Sequence, residues 1–314
     1  MATKPLRVLL AGDHVSGLRD AIVTHRPDLP LTMKPLAEIT ADDLAKAEVY
    51  VGFRQPTAGW GQIRWIHSIG AGVDGLLRGE PLPDGVLLTK SSEDFGPAIG
   101  EWCLTRALSV NQRLRLLAQD QAAARWCNDD DRTPVLLRNQ RVVILGTGQV
   151  GRGIARSFRA LGCRVTGLSR SGSPADGFDA VHLAASFEQV IPGTHWLVLA
   201  APHTPLTRRF LDRSRMRACN GAYLMNVGRG ALIDEGALPE ALDQGWLSGA
   251  ALDVFEQEPL PADSPLWHHP RVVISPHVSG PSTVEGTVAG FLEALAAVEA
   301  GTTPRLAIDP NRGY

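Results

Sequence analysis

The chain is poor in cysteine, has no long apolar run and carries no surplus of one charge. Its four cysteines, Cys103, Cys127, Cys163 and Cys219, are widely separated, with no CxxC pair and no Cys/His cluster at zinc-site spacing. That argues against a disulfide scaffold and a structural zinc, so no metal site is expected. Reduced thiols in a cytoplasmic setting are the expectation. No apolar stretch approaches the roughly 18 residues that span a bilayer. The opening MATKPLRVLLAGD enters a strand-like run almost at once, without the long apolar segment and small-residue cleavage site of a secretory signal. The net charge is −2, from 31 basic and 33 acidic residues, so neither a nucleic acid nor a membrane surface is an expected partner.

What the chain does have is room and rhythm. Its 314 residues suit about two domains, and an apolar fraction of 44% suffices for real cores. Short runs of Val, Ile and Leu alternate with helix-length segments, the pattern of parallel βαβ construction. Strands are predicted at 6–11, 48–53, 65–68 and 86–89, then at 141–145, 164–168, 196–199, 222–226, 249–253 and 272–274. Most are apolar nearly throughout, as strands buried on both faces are. A helical pattern over 96–126, with Leu104, Leu108 and Leu116 among its apolar positions, is predicted to link two sheets. NDDDRTP (128–134) then reads as a loop, and 281–301 as a helix with Ser282 or Thr283 as cap. The expected organisation is two α/β domains of flavodoxin/Rossmann type with parallel sheets. One comprises 1–95 with 281–314, and the other 96–280.

The stretch RVVILGTGQVGRGIARSF is a strand, a tight turn and a helix. Gly146 permits the turn, Gly148 lets backbone approach a pyrophosphate, and Gly151 lets helix pack closely on strand. Gln149 and Val150 open the helix whose free amides would meet the phosphates. The next strand ends not in the acid that usually holds ribose hydroxyls but in Ser169-Arg170. A carboxylate there would repel a 2′-phosphate, whereas a guanidinium binds one through charge-assisted hydrogen bonds. NADP(H) is therefore the expected cofactor, with NAD(H) the alternative if Arg170 is only a solvated loop residue.

Three more stretches fall at predicted strand ends, where ligands gather in open α/β sheets: LMNVGRGALIDE, ALDVFEQEPLP and VISPHVSGP. Each offers one group suited to carbonyl reduction. Arg229 can bind a carboxylate through two parallel hydrogen bonds. His277 can protonate the carbonyl oxygen. Glu258 can orient His277 and favour its charged form. His268-His269 are poor joint metal ligands, because neighbours on an extended chain point in opposite directions.

With these motifs in order, the sequence resembles the D-isomer-specific 2-hydroxyacid dehydrogenases. The carrying segments are GAGVDG (70–75), GTGQVG (146–151), NVGRG (226–230), DVFEQEPLP (253–261) and SPHVSG (275–280). The resemblance implies that Arg229 binds substrate, that Glu258 pairs with the catalytic histidine, and that His277 is that histidine. It implies that the backbone amides of Ala71, Gly72 and Val73 help hold the substrate carboxylate. Asp253 would lie near the nicotinamide carboxamide, with Val227, Gly228, Ser279 and Gly280 also on the cofactor side. Ala201 and Pro202, in APHTPLT, would touch the nicotinamide half. It further implies an active site in an inter-domain cleft and a homodimer formed through the helix after residue 96. LSRS (168–171), GAYLMNVGRG (221–230), DVFEQEPLPADSPLWHHPRV (253–272) and the terminal NRGY look most like the glyoxylate/hydroxypyruvate reductase A branch, NADPH-preferring reducers of small 2-oxo acids. The alternatives are an NAD-dependent dehydrogenase of another 2-hydroxy acid and a non-catalytic, nucleotide-sensing corepressor on the same fold. Formate dehydrogenases typically carry glutamine where this chain has Glu258.

Overall fold

A computed structural model of the chain describes residues 5–12, 17–91 and 93–310; the NRGY terminus lies outside the described residues. The chain divides into two units, Met1–Glu93 with Ser282–Tyr314, and Asp94–Pro281. The first holds β1 (Val8–Ala11), β2 (Leu31–Lys34), β3 (Val49–Gly52), β4 (Trp65–Ser68), β5 (Leu87–Lys90) and the returning β13 (Ala307–Ile308). The second holds β6 (Arg141–Leu145), β7 (Arg164–Ser169), β8 (Ala180–Leu183), β9 (Trp196–Leu199), β10 (Ala222–Asn226), β11 (Leu247–Leu252) and β12 (Val272–Ile274).

In the first unit the sheet order is β2-β1-β3-β4-β5-β13, with every pair parallel except β13 on β5. Alternation along β1 fills both faces. Val8 and Leu10 join Val49, Val51 and Trp65 on one side, while Leu9 and Ala11 join Tyr50, Ile66 and Leu88 on the other. The helix Val284–Glu299 closes the first of these cores, its Phe291 ring stacked on Trp65 at 5.4 Å between centroids. That contact explains why the C-terminal segment returns to the N-terminal unit. Thr283 caps the helix, its side chain accepting from the Gly286 amide.

The second unit is an all-parallel sheet in the order β8-β7-β6-β9-β10-β11-β12. The chain runs outward from β6 through β7 to β8, then resumes at β9 on the other side of β6. This reversal is the topological switch point at which doubly wound sheets bind ligands. Central strands β6, β9 and β10 are buried almost throughout. Among the described residues no helix is long and apolar enough to cross a membrane.

Three strands escape the sequence pattern, and all lie at sheet edges. β2 is half-exposed, β8 is mostly exposed, and β13 has two residues, so none shows a sustained apolar run. β13 also makes the first sheet mixed rather than purely parallel. The predicted helix over 96–126 is two helices, Gly96–Asn111 and Leu114–Ala122, broken at Arg113 in a left-handed conformation (φ 57°). The cause is a competing partner. The Asn111 carbonyl accepts from the Val135 amide at 2.9 Å, and the buried Asn111 side chain donates to Gln140. Leucine spacing cannot reveal that diversion. The acidic stretch read as a loop contains a short 3₁₀ turn, Asp130–Arg132.

Candidate active site

In the second unit the proposed cofactor and catalytic residues fall at or just beyond the carboxyl ends of successive strands. Ser169 and Arg170 lie at β7, the glycine turn follows β6, and Ala201 follows β9. Arg229 follows β10, Asp253 and Glu258 follow β11, and His277 follows β12. At about 4.8 Å per strand, the ends of β7 and β10 are roughly 14 Å apart along the edge.

The glycine turn fits a dinucleotide, and its three glycines divide the work. Gly146 is left-handed (φ 105°), and a Cβ there would stand 2.7 Å from the Ala200 carbonyl oxygen. A Cβ on Gly151 would meet the Gly146 carbonyl oxygen at 2.0 Å, so helix and strand touch through backbone. Gly148 is different. Its backbone is extended, and among the described residues a Cβ there would meet nothing within 4 Å. Protein packing thus accounts for Gly146 and Gly151 but leaves open space above Gly148. Among the described residues no side chain caps the helix Gln149–Ala160 that starts there, and Val150 is half-buried in its first turn. Open space at an uncapped helix N-terminus suits a pyrophosphate.

At the other end of the edge, side chains hold one another. His277 Nδ1 and Glu258 Oε2 are 2.8 Å apart. The bond places a proton on Nδ1 and leaves Nε2 to face a reactant, with the ring two-fifths exposed. Glu258 Oε1 accepts from the Phe255 amide at 3.0 Å. Burial pushes the Glu258 carboxyl up, but the His277 and Phe255 hydrogen bonds and the charges of His277 and Arg229 outweigh it, and the net direction is down. Glu258 is therefore held as a carboxylate. Neighbouring Glu235 goes the other way, raised by burial and by the charges of Glu256 and Glu258, with partial relief from the Glu256 amide.

Arg229 is aimed by the turn after β10. The buried Asn226 side chain donates to the Arg229 carbonyl at 2.9 Å and accepts from the Gly228 amide at 3.2 Å. Arg229 Nη1 donates to the Gly228 carbonyl at 2.7 Å. Val227 is buried, and its amide donates to Leu199.

Asp253 is fully buried, and its carboxylate is used within the chain. Oδ1 accepts from Ser275 Oγ at 2.5 Å and from the Val278 amide at 3.0 Å, and Oδ2 accepts from the Ser279 amide at 2.9 Å. Trp102 Nε1 donates to Ser275 Oγ at 3.2 Å, and the His277 amide donates to the Asp253 carbonyl at 2.8 Å. His277 itself has a positive φ, 55°, unusual for a residue with a side chain. Asp253 thus grips the turn on both sides of the histidine. Ser279 is buried with it, and Gly280 packs against Ile99. Reading motifs alone misses Ser275, Asn226, Trp102 and Glu235. Ser275 and Asn226 stand inside SPHVSG and NVGRG, but nothing local signals Trp102.

Around 201–207 the chain turns rather than extends. Thr207 Oγ1 donates to the Pro202 carbonyl and accepts from the Thr204 amide, leaving Pro202 exposed and Ala201 buried. In the first unit, Ser68 shapes the loop after β4, donating to the Gly72 carbonyl at 2.7 Å and accepting from the Gly70 amide at 3.3 Å. Ala71 is exposed there, Gly72 half-buried and Val73 buried.

A family model described as D-isomer specific 2-hydroxyacid dehydrogenase, NAD binding domain, matches residues 104–279, more than half of the chain. The chain belongs to the D-isomer-specific 2-hydroxyacid dehydrogenases. As a member it is a nicotinamide-dependent oxidoreductase. Among relatives of this dehydrogenase, a glyoxylate/hydroxypyruvate reductase A of Serratia proteamaculans is 35% identical over 265 residues, covering 81% of this chain and 82% of its own. A D-isomer specific 2-hydroxyacid dehydrogenase from Xanthobacter autotrophicus, solved with NADPH and MES, superposes with a TM-score of 0.88 at 27% identity, covering 99% of this chain and 100% of its own. An NADPH-dependent glyoxylate/hydroxypyruvate reductase from Sinorhizobium meliloti, solved with NADP and sulfate, gives 0.87 at 26%, covering 98% and 100%.

Proposed function

We propose that this dehydrogenase reduces small 2-oxo acids, glyoxylate and hydroxypyruvate first among them, to the corresponding 2-hydroxy acids, of D configuration where the product is chiral, with NADPH preferred. The observation that carries the chemistry is the 2.8 Å His277–Glu258 bond, with the Arg229 charge close enough to bear on Glu258. A bound nicotinamide supplies hydride for the carbonyl carbon. His277 gives the oxygen a proton from Nε2, so the 2-oxo acid gains one hydride and one proton. Glu258 keeps the ring oriented and balances its charge. Arg229 takes the substrate carboxylate in two parallel hydrogen bonds and draws electron density from the adjacent carbonyl. The amides of Ala71, Gly72 and Val73 are proposed as further carboxylate donors from the first unit. The cofactor preference is supported by the absence of an acid at the β7 end, by Arg170, and by the NADP-bound state of two relatives. The substrate names come from the Serratia and Sinorhizobium relatives.

A homodimer is part of the same proposal. Around the paired helices, Leu108, Leu114, Leu117, Val135, Leu136 and Trp126 expose apolar surface, Trp126 at 97%. Sedimentation at micromolar concentration is expected to give a dimer that Trp126→Ala with Leu136→Glu disrupts; a monomeric native chain would refute this part.

Side-by-side initial rates of glyoxylate and hydroxypyruvate reduction with NADPH and NADH test the whole. Turnover of both acids with a clear NADPH advantage is expected. Equal or better rates with NADH would remove the cofactor assignment, and no turnover of either acid would remove the substrate assignment.

A further inference from the structure

Arg152 stands just past the glycine turn and has no role in the chemistry proposed so far. The helix Gln149–Ala160 carries three arginines, Arg152, Arg156 and Arg159, at the i, i+4, i+7 spacing of one exposed helix face. The two farther from the turn are neutralised. Arg156 pairs with Asp176 at 3.1 Å, and Arg159 pairs with Asp179 at 3.4 Å. Among the described residues Arg152 has no carboxylate partner. Its Nε donates instead to the Thr147 carbonyl, inside the glycine turn, at 3.1 Å.

Thr147 itself sits on the β7 side of the turn. The Gly146 amide donates to Leu168 in β7 at 2.8 Å. A Cβ built on Gly167 of β7 would stand 2.7 Å from the Thr147 methyl, so Thr147 lies directly over that strand. β7 ends two residues later at Ser169, followed by Arg170. The bond to Thr147 therefore brings the Arg152 head group to the edge where the adenosine ribose is expected. It occupies Nε alone and leaves both Nη groups to donate. A helix whose other two arginines are matched to acids thus keeps one unmatched guanidinium at the strand end that lacks an acid.

We propose that Arg152 is a second ligand for the cofactor 2′-phosphate, forming with Arg170 a seat of two guanidinium groups. This rests on reading Ser169-Arg170 as the adenosine end. Two positive forks suit a phosphate carrying close to two negative charges, and both give charge-assisted hydrogen bonds. NADH has no such group and gains nothing from Arg152.

The test is direct binding of NADPH and NADH, by titration calorimetry without substrate, to the native chain and to Arg152→Gln, Arg152→Lys and Arg170→Gln. Arg152→Gln is expected to weaken NADPH about tenfold, the scale of a lost hydrogen bond to a charged group. NADH affinity should stay within about twofold, and Arg152→Lys should fall between glutamine and native. Equal loss of both cofactors in Arg152→Gln would make Arg152 a fastener of the glycine turn and overturn the proposal. Loss of neither would make it a solvated side chain and overturn the proposal equally. Arg170→Gln separates the two readings. If it leaves NADPH affinity untouched, the strand-end assignment fails, whatever Arg152 does.

Discussion

The two units are built alike and put their polar groups in different places. Each is a largely parallel sheet with apolar side chains on both faces. In the second, a polar network lies at the carboxyl ends of the strands, where Asn226, Asp253 and Ser275 hold the turns that carry Arg229 and His277. In the first, a polar cluster lies inside the sheet. His67 Nδ1 and Trp65 Nε1 both meet Thr89 Oγ1 at 2.8 Å, and all three residues are buried. The sheet, then, supplies the stage, and the strand ends supply the chemistry. Polar groups at the ends can be tuned against solvent and ligand, whereas the same groups inside the sheet act on stability.

The largest expected effect breaks the edge at the proposed proton donor. His277→Ala should lower reduction by about 10²- to 10⁴-fold, the usual worth of a positioned acid. Cofactor binding should survive, because β9, β10 and β11 stand between the strand that carries His277 and the one that carries the glycine turn. Native turnover in this variant would refute the assignment of His277. Glu258→Gln keeps the shape of the side chain but removes the carboxylate 2.8 Å from the ring nitrogen, so kcat should fall about tenfold at unchanged cofactor affinity. A native kcat in that variant would count against the pairing.

Much of this edge was legible in the sequence because the strands that build it carry unbroken apolar runs. β6, β9, β10 and β12 all match the predicted boundaries residue for residue. The edge strands β2, β8 and β13 were not legible, since exposed and half-exposed residues blur the pattern. Nor was the break at Arg113, which depends on a carbonyl diverted to Val135, 24 positions on from Asn111. At the site, the residues proposed to meet a reactant carry motifs, whereas those that hold them often do not. Asp253 is the telling case. Its motif suggests a place beside the cofactor, but its full burial and three hydrogen-bond donors favour a grip on the histidine turn.

The next largest effect sharpens that distinction. Asp253→Asn puts an amide NH₂ where the carboxylate accepted, so the Ser279 amide or Ser275 hydroxyl loses its partner. A buried donor left unpaired costs about 1–3 kcal/mol. If Asp253 positions His277, kcat should fall about tenfold at nearly constant cofactor KM, and the pH profile of kcat should change with it. A rise in cofactor KM at unchanged kcat would instead support the carboxamide contact. Ser275→Ala, one bond further out, should show the same pattern with a few-fold effect.

The smallest expected effect lies in the first unit, in its buried histidine. His67 is fully enclosed, its Nε2 has no hydrogen-bond partner among the described residues, and burial pushes its pKa down to about 3. Phe291 and Trp65 pack edge-on to its ring. The folded chain thus keeps His67 neutral while the unfolded chain protonates it below its ordinary value near 6.5. The unfolded state therefore binds more protons between about pH 6.5 and 3, and stability must fall as pH drops through that window. The contribution is at most about 1.4 kcal/mol per pH unit, since a single proton is involved. Replacing the ring by an uncharged side chain, as in His67→Asn, should remove it. Urea midpoints of the native chain and the variant should draw together as pH falls from 7 to 5, even though the variant starts less stable for loss of packing. Parallel midpoints would mean that the folded sheet admits a proton at His67, and the contrast between a polar group placed for chemistry and one placed for packing would then fail at this residue.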